Sequence, residues 1–409
     1  MPCSHPLYLV LPTVTDNPGI NMYVETRVAR GTTDAQHQQI QCAPASWASN
    51  FNHQLLGSPA NLLPMAPKSA CAGMPQNNSM GSLPEPFQDP VFSRGRRDSS
   101  PFPSDMGKRA FMLLSESSGR RWHTVSSVRV CGFGEVFRAM ELVALPSGAW
   151  GHEQSYFAIK EMKLGKIREI QGRSNEEPLK EVSVLQHLAG SGIHPNVISC
   201  TEVLHDSDSI YVVMPFCEGG ELFDVVTANE RLGEAQARPL FRQVLEGVSF
   251  LQQHRVCHRD LSLENLLLTE DGIVRIIDFG MALQVPLGRN GRPGLMLPQG
   301  PCGKANYMTP EILLNERVFD GFKIDIWACG IILFIMLTGK PPFEVPLPGQ
   351  DARCRVISVE KRLIDVVRHW NMSMSPEAVD LIQSCLLYEP SQRPTIDQLR
   401  AHPWLWMSA

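Results

Sequence analysis

No two of the eleven cysteines in this 409-residue chain stand at C-x-x-C spacing, and their odd number and scatter give no disulfide framework. That excludes a structural zinc site and a disulfide-stapled fold, and reduced thiols in the cytoplasm or nucleus are expected. Charge of one sign is equally scarce. A net charge of −5 leaves no basic footprint for nucleic acid. Long apolar runs are missing too. The most apolar stretch, residues 324–337, is interrupted by Asp325 and is too short to span a bilayer, so it reads as a buried core helix. Residues 7–14 are apolar but short, with no Lys or Arg ahead of them, so they are not read as a signal peptide. No lipid-anchor motif is present, and no membrane partner is expected.

What is present divides the chain unequally. Hydrophobic residues make up 43%, enough for a real core. Fourteen of the 32 prolines fall in residues 1–110, with Asn, Gln and Ser between them and no lasting helical or strand period. Residues 1–120 therefore read as a mostly disordered tail, with structure beginning near Arg121. Within the tail, Arg96 and Arg97 precede Ser99, and Pro101 follows Ser100, as at kinase-modified serines. From Thr124 onward the pattern alternates as a strand would, and residues 135–143 read as its partner. Pro178 sits where a helix starts, with Leu179, Val182, Leu185 and Leu188 at helical spacing.

The chemistry concentrates in His258-Arg259-Asp260-Leu261-Ser262-Leu263-Glu264-Asn265, with Asp278-Phe279-Gly280 shortly after. An Asp can orient and deprotonate a hydroxyl, while an Asn and a second Asp can hold magnesium against a triphosphate. Residues 266–268 and 273–277, on either side of a Glu270-Asp271-Gly272 turn, read as a hairpin carrying those ligands at its ends. This segment resembles the catalytic loop of eukaryotic protein kinases of the serine/threonine type, with a calcium/calmodulin-dependent-like catalytic domain.

The resemblance covers residues 121–406 and implies an α+β, bilobal protein-kinase fold. A small antiparallel sheet with one helix is expected over 121–217 and a larger, mainly helical lobe over 218–406. It also implies roles for residues. Asp260 is the expected catalytic base, Asn265 and Asp278 the magnesium ligands, and Lys160, in Tyr156-Phe157-Ala158-Ile159-Lys160, the ligand of the ATP phosphates, with Glu181 as its ion-pair partner. The ATP pocket is expected from Val128, Gly132, Phe133, Gly134, Val136, Ala158, Met214, Cys217 and Leu267, with Met214 as gatekeeper. Pro215 lacks an N–H, but the position is used through its carbonyl.

Three departures from the family pattern stand out. The first two glycines of the phosphate loop are Arg129 and Cys131. The usual catalytic-loop lysine is Ser262, and the usual threonine of the substrate-facing loop is Lys304, which suggests that Lys304 supplies the missing cation. Between Gly280 and Tyr307 there is no Ser, Thr, Tyr or acidic residue, so activity is expected without phosphorylation of that segment. Glu221 and Glu264 stand where basophilic kinases meet arginines ahead of the target, which makes Ser99 a candidate self-substrate. Glu311 and Arg393 are the expected buried ion pair. Protein Ser/Thr kinase activity with ATP and Mg2+ is the reading, and a pseudokinase-type ATP-binding or scaffold protein is the alternative.

Overall fold

The computed structural model describes residues 81–407, except 101, 103, 147–149, 171–176 and 289–290. The tail reading for residues 1–80 lies outside the described residues. Structure nevertheless starts earlier than Arg121, because β1 (Ser93–Ser99) and β2 (Phe111–Ser115) fall within the supposed tail. Composition hid them. Four of the seven β1 residues are charged, and its Arg97 finds partners farther along the chain, Glu161 at 2.5 Å and the Phe111 ring.

These two strands join β3 (Arg121–Cys131), β4 (Gly134–Ala144), β5 (Trp150–Lys163), β6 (Glu202–His205) and β7 (Ser209–Pro215) in a closed barrel of order β1-β2-β3-β4-β5-β7-β6. The closing contact is parallel, Ser93 against Leu204 and Arg94 against His205. Inward-facing Phe111, Leu113, Trp122, Phe137, Ile159 and Tyr211 fill it, as strand alternation demands. After β5 come α1 (Leu164–Ile170) and α2 (Pro178–Ala189), the latter starting at its proline and burying Val182, Leu185 and Leu188.

Beyond β7 the chain is mostly helical: α3 (Leu222–Ala228), α4 (Glu234–Gln253), α5 (Pro310–Leu314), α6 (Gly321–Thr338), α7 (Leu363–His369), α8 (Pro376–Cys385) and α9 (Ile396–Arg400). The α6 helix is apolar all round and 89% buried, packed against α4 and α8. Asp320 caps its first turn, accepting from the Phe322 and Lys323 N–H groups, and Gly339 ends it in the left-handed conformation. Two small sheets lie between barrel and helices. One orders β11 (Val274–Ile276), β10 (Leu266–Leu268) and β8 (Gly220–Glu221), and the other pairs β9 (Val256–Cys257) with β12 (Leu283–Gln284). The fold is therefore α+β, with strands early and helices late.

Candidate active site

β9 leads directly into the loop at residues 258–265, and the β10–β11 hairpin leads out of it to Asp278. Asp325, wholly buried on α6, accepts the His258 and Arg259 N–H groups at 2.8 and 2.9 Å and so fixes the loop backbone. Burial pushes the Asp325 carboxyl up to about 6, against the opposing pull of His258 and those two bonds. The His258 ring bonds the Ile277 carbonyl at 2.9 Å and packs on fully buried Phe279, which couples the loop to the Asp-Phe-Gly turn. Arg259 and Asp278 both hold positive φ, 67° and 66°, a strain that the surrounding bonds sustain.

Asp260 is oriented through both carboxylate oxygens. The Asn265 amide donates to Oδ2 at 2.9 Å and to the Asp260 carbonyl at 2.7 Å, while the Lys304 N–H donates to Oδ1 at 3.2 Å. Burial raises its pKa, and the charges of Lys304 and His258 restrain that rise. The Lys304 ammonium donates to Ser262 Oγ at 2.6 Å and lies 3.8 Å from Glu264. The two unusual residues are thus direct neighbours. Sequence reasoning passed over Gly303 between Cys302 and Lys304. It sits at φ +86°, and a Cβ there would meet the Arg259 carbonyl at 2.8 Å and Asp260 Oδ1 at 3.2 Å.

Lys160 on β5 meets Glu181 on α2 at 2.5 Å, with both side chains largely buried. Burial alone would lower the lysine's pKa, but Glu181 and Asp278 together raise it, so an ammonium is held there. Burial likewise works against ionised Asp278, yet Lys160 and the Gly280 N–H carry its pKa below the ordinary value. Asp278 is therefore a carboxylate at neutral pH. Together with the Asn265 side-chain oxygen it offers the hard donors that magnesium takes, the remainder coming from phosphate and water. These residues fit the metal, and among the described residues no cluster of three or more His, Cys, Asp or Glu competes for one.

Several residues expected on the adenine side fall on facing strands. Ala158 pairs with Met214 and Val136 with Lys160, while Leu267 on β10 lies opposite Glu221. Cys217 is buried after Pro215, and Val128 is half exposed on β3. Gly132 and Phe133 form a two-residue turn closed by the Cys131–Gly134 pair. Phe133 is buried rather than raised at the tip, and its carbonyl accepts the Lys163 N–H at 2.9 Å. Gly134 is obligatory: a Cβ there would sit 1.9 Å from the Glu161 carbonyl. Arg129, standing where a glycine is usual, reaches across to Glu221 at 3.1 Å, a contact between residues 92 positions apart that no local pattern signals. Glu311 and Arg393 form the expected bidentate pair at 2.6 and 2.9 Å, with the arginine side chain fully buried.

Comparison with known proteins agrees with this geometry. The family described as protein kinase domain matches residues 133–405, well over half of the chain. The chain is 37% identical over 250 residues to CBL-interacting protein kinase 21 of Oryza sativa subsp. japonica, covering 61% of this chain and 44% of the relative. It is 35% identical over 255 residues to the probable serine/threonine-protein kinase MARK-B of Dictyostelium discoideum, covering 61% and 32%. These matches span about a third to a half of the relatives' own length. With the family match and the site geometry in agreement, the chain belongs to the eukaryotic serine/threonine protein kinase family.

Proposed function

We propose that this chain transfers the γ-phosphate of ATP to serine or threonine hydroxyls of proteins. The observation that carries the reading is the buried Lys160–Glu181 ion pair, which would hold the lysine ready for the ATP phosphates while its charge helps keep the Asp278 carboxyl below its ordinary pKa. Asp260, held at both oxygens, orients the acceptor hydroxyl and takes its proton. Lys160 holds the α- and β-phosphates, and Asn265 and Asp278 hold magnesium, which when bound neutralises charge on the triphosphate. Lys304, seated on Ser262, supplies positive charge toward the transferring group in place of the usual lysine.

Three finer readings go with this. The activation segment works without phosphate, since residues 281–306 contain no acceptor. Glu221 and Glu264 favour arginine ahead of the target residue. The chain acts in the cytoplasm or nucleus. Ser99 is a weaker self-substrate than its sequence suggests, because its backbone is engaged in the β1–β2 ladder opposite Phe111.

The test is phosphate transfer from labelled Mg-ATP, by full-length protein, to itself and to a serine peptide with upstream arginine, with Asp260→Asn as control. Label that disappears in the control supports the reading. Absent transfer together with absent ATP binding supports the scaffold alternative, for which the pinned phosphate-loop tip and the Arg129–Glu221 contact are the structural grounds.

A further inference from the structure

Between Ser82 and Arg94 the chain runs as an extended strap over parts of the fold that lie far away in sequence. The Ser82 N–H donates to the Leu295 carbonyl, and the Leu297 N–H donates to the Ser82 carbonyl, both at 2.9 Å, so Ser82 lies alongside the activation segment. Met296, between them, exchanges two further bonds with Phe319. The Glu85 N–H donates to the Gln284 carbonyl at 3.1 Å, which adds a third strand to the β9–β12 pair at the root of the catalytic loop. The Glu85 carboxylate takes Arg255 Nη1 at 2.6 Å on one oxygen and the Leu287 N–H at 3.1 Å on the other. Val91 then exchanges both backbone groups with the Gln186 amide, at 2.9 and 2.6 Å, five residues along α2 from Glu181.

We propose that residues 82–92 are a positioning strap for phosphotransfer, bracing the activation segment and the Glu181-bearing helix in one arrangement. The proposal rests on the kinase reading above. The Arg259 guanidinium, which in this family's usual switch meets a loop phosphate, bonds the Met281 carbonyl at 3.3 Å and lies over the Phe319 ring, and among the described residues its Nε and Nη2 have no hydrogen-bond partner. Residues 281–306 cannot supply that phosphate. The strap supplies directional bonds to the same segment instead. It buries little, since Leu83 and Val91 stay 68% and 74% exposed, so its contribution is orientation rather than core stability.

The test uses the full-length chain with Glu85→Ala, Gln186→Ala and the charge exchange Glu85→Arg with Arg255→Glu. The readouts are kcat and KM on the peptide, Tm, and amide hydrogen exchange over residues 284–297. Each single variant should lower kcat about two- to fivefold, as expected for loss of one partly exposed ionic or amide contact that orders the site. Exchange over 284–297 should quicken in Glu85→Ala while Tm moves by no more than ~2 °C, and the charge exchange should recover at least half of the lost rate. Unchanged kcat with unchanged exchange overturns the proposal, as does a rate loss that follows a falling Tm. If the parent protein transfers no phosphate, the kinase reading fails separately. Faster exchange over 284–297 in Glu85→Ala would then still uphold the bracing, and unchanged exchange would still defeat it.

Discussion

Among single residues, Lys304 donates its N–H to Asp260. Burial raises the Asp260 pKa and the Lys304 charge holds it back, and in the proposed role of base Asp260 must be ionised to act. kcat/KM should therefore climb with pH through a value above the ordinary carboxylate range. Lys304→Met should move that limb to higher pH and lower kcat by about 10- to 100-fold, as loss of one charge-stabilising group does. A pH profile that stays in place with unchanged kcat would assign Lys304 to solvent. Arg129 makes the opposite kind of prediction. Its side chain is 69% exposed against 28% for Glu221, so the pair is worth at most about 1 kcal/mol. Arg129→Gly frees Glu221, and preference for an upstream arginine should grow by no more than about fivefold on a peptide array. At this scale the sequence was readable where an order of motifs named residues that the fold brings together, as for the Lys160–Glu181 pair. It was silent on Arg129–Glu221 and Gly303, because those depend on how two distant backbones approach.

Among the elements, the activation segment carries the clearest expectation. Phosphatase treatment should leave turnover unchanged, and mass spectrometry should find no phosphate on residues 281–306; a mapped phosphate there, lost together with activity, would refute this. The α2 helix, the α6 helix and the β10–β11 hairpin were legible because each carries its signals locally: a starting proline, a mostly apolar stretch, a turn between apolar runs. β1 and the strap were not. Charged and proline-rich residues read as tail by composition, yet Glu85 and Ser82 find their partners about two hundred residues away at Gln284 and Met296. Windowed composition has no access to pairings at that separation.

For the molecule as a whole, the Glu311–Arg393 pair ties the end of the activation segment to the late helices. Arg393 also bonds the carbonyls of Lys323, Leu387 and Tyr388 and lies over the fully buried Trp327 ring. Arg393→Ala leaves a buried carboxylate and several carbonyls unpaired, so it should cost about 3–5 kcal/mol, read as a falling denaturation midpoint. Glu311→Leu with Arg393→Met should recover part of it, because an apolar pair carries no desolvation cost.

Closure of the barrel through β1 has a consequence of another kind. An open sheet ends in unpaired N–H and C=O groups that recruit foreign strands, either as docked peptides or as aggregates. Here the parallel Ser93–Leu204 and Arg94–His205 pairs seal that seam. A partner that adds a strand must first peel β1 away, and doing so would also pull on the strap that leads into it.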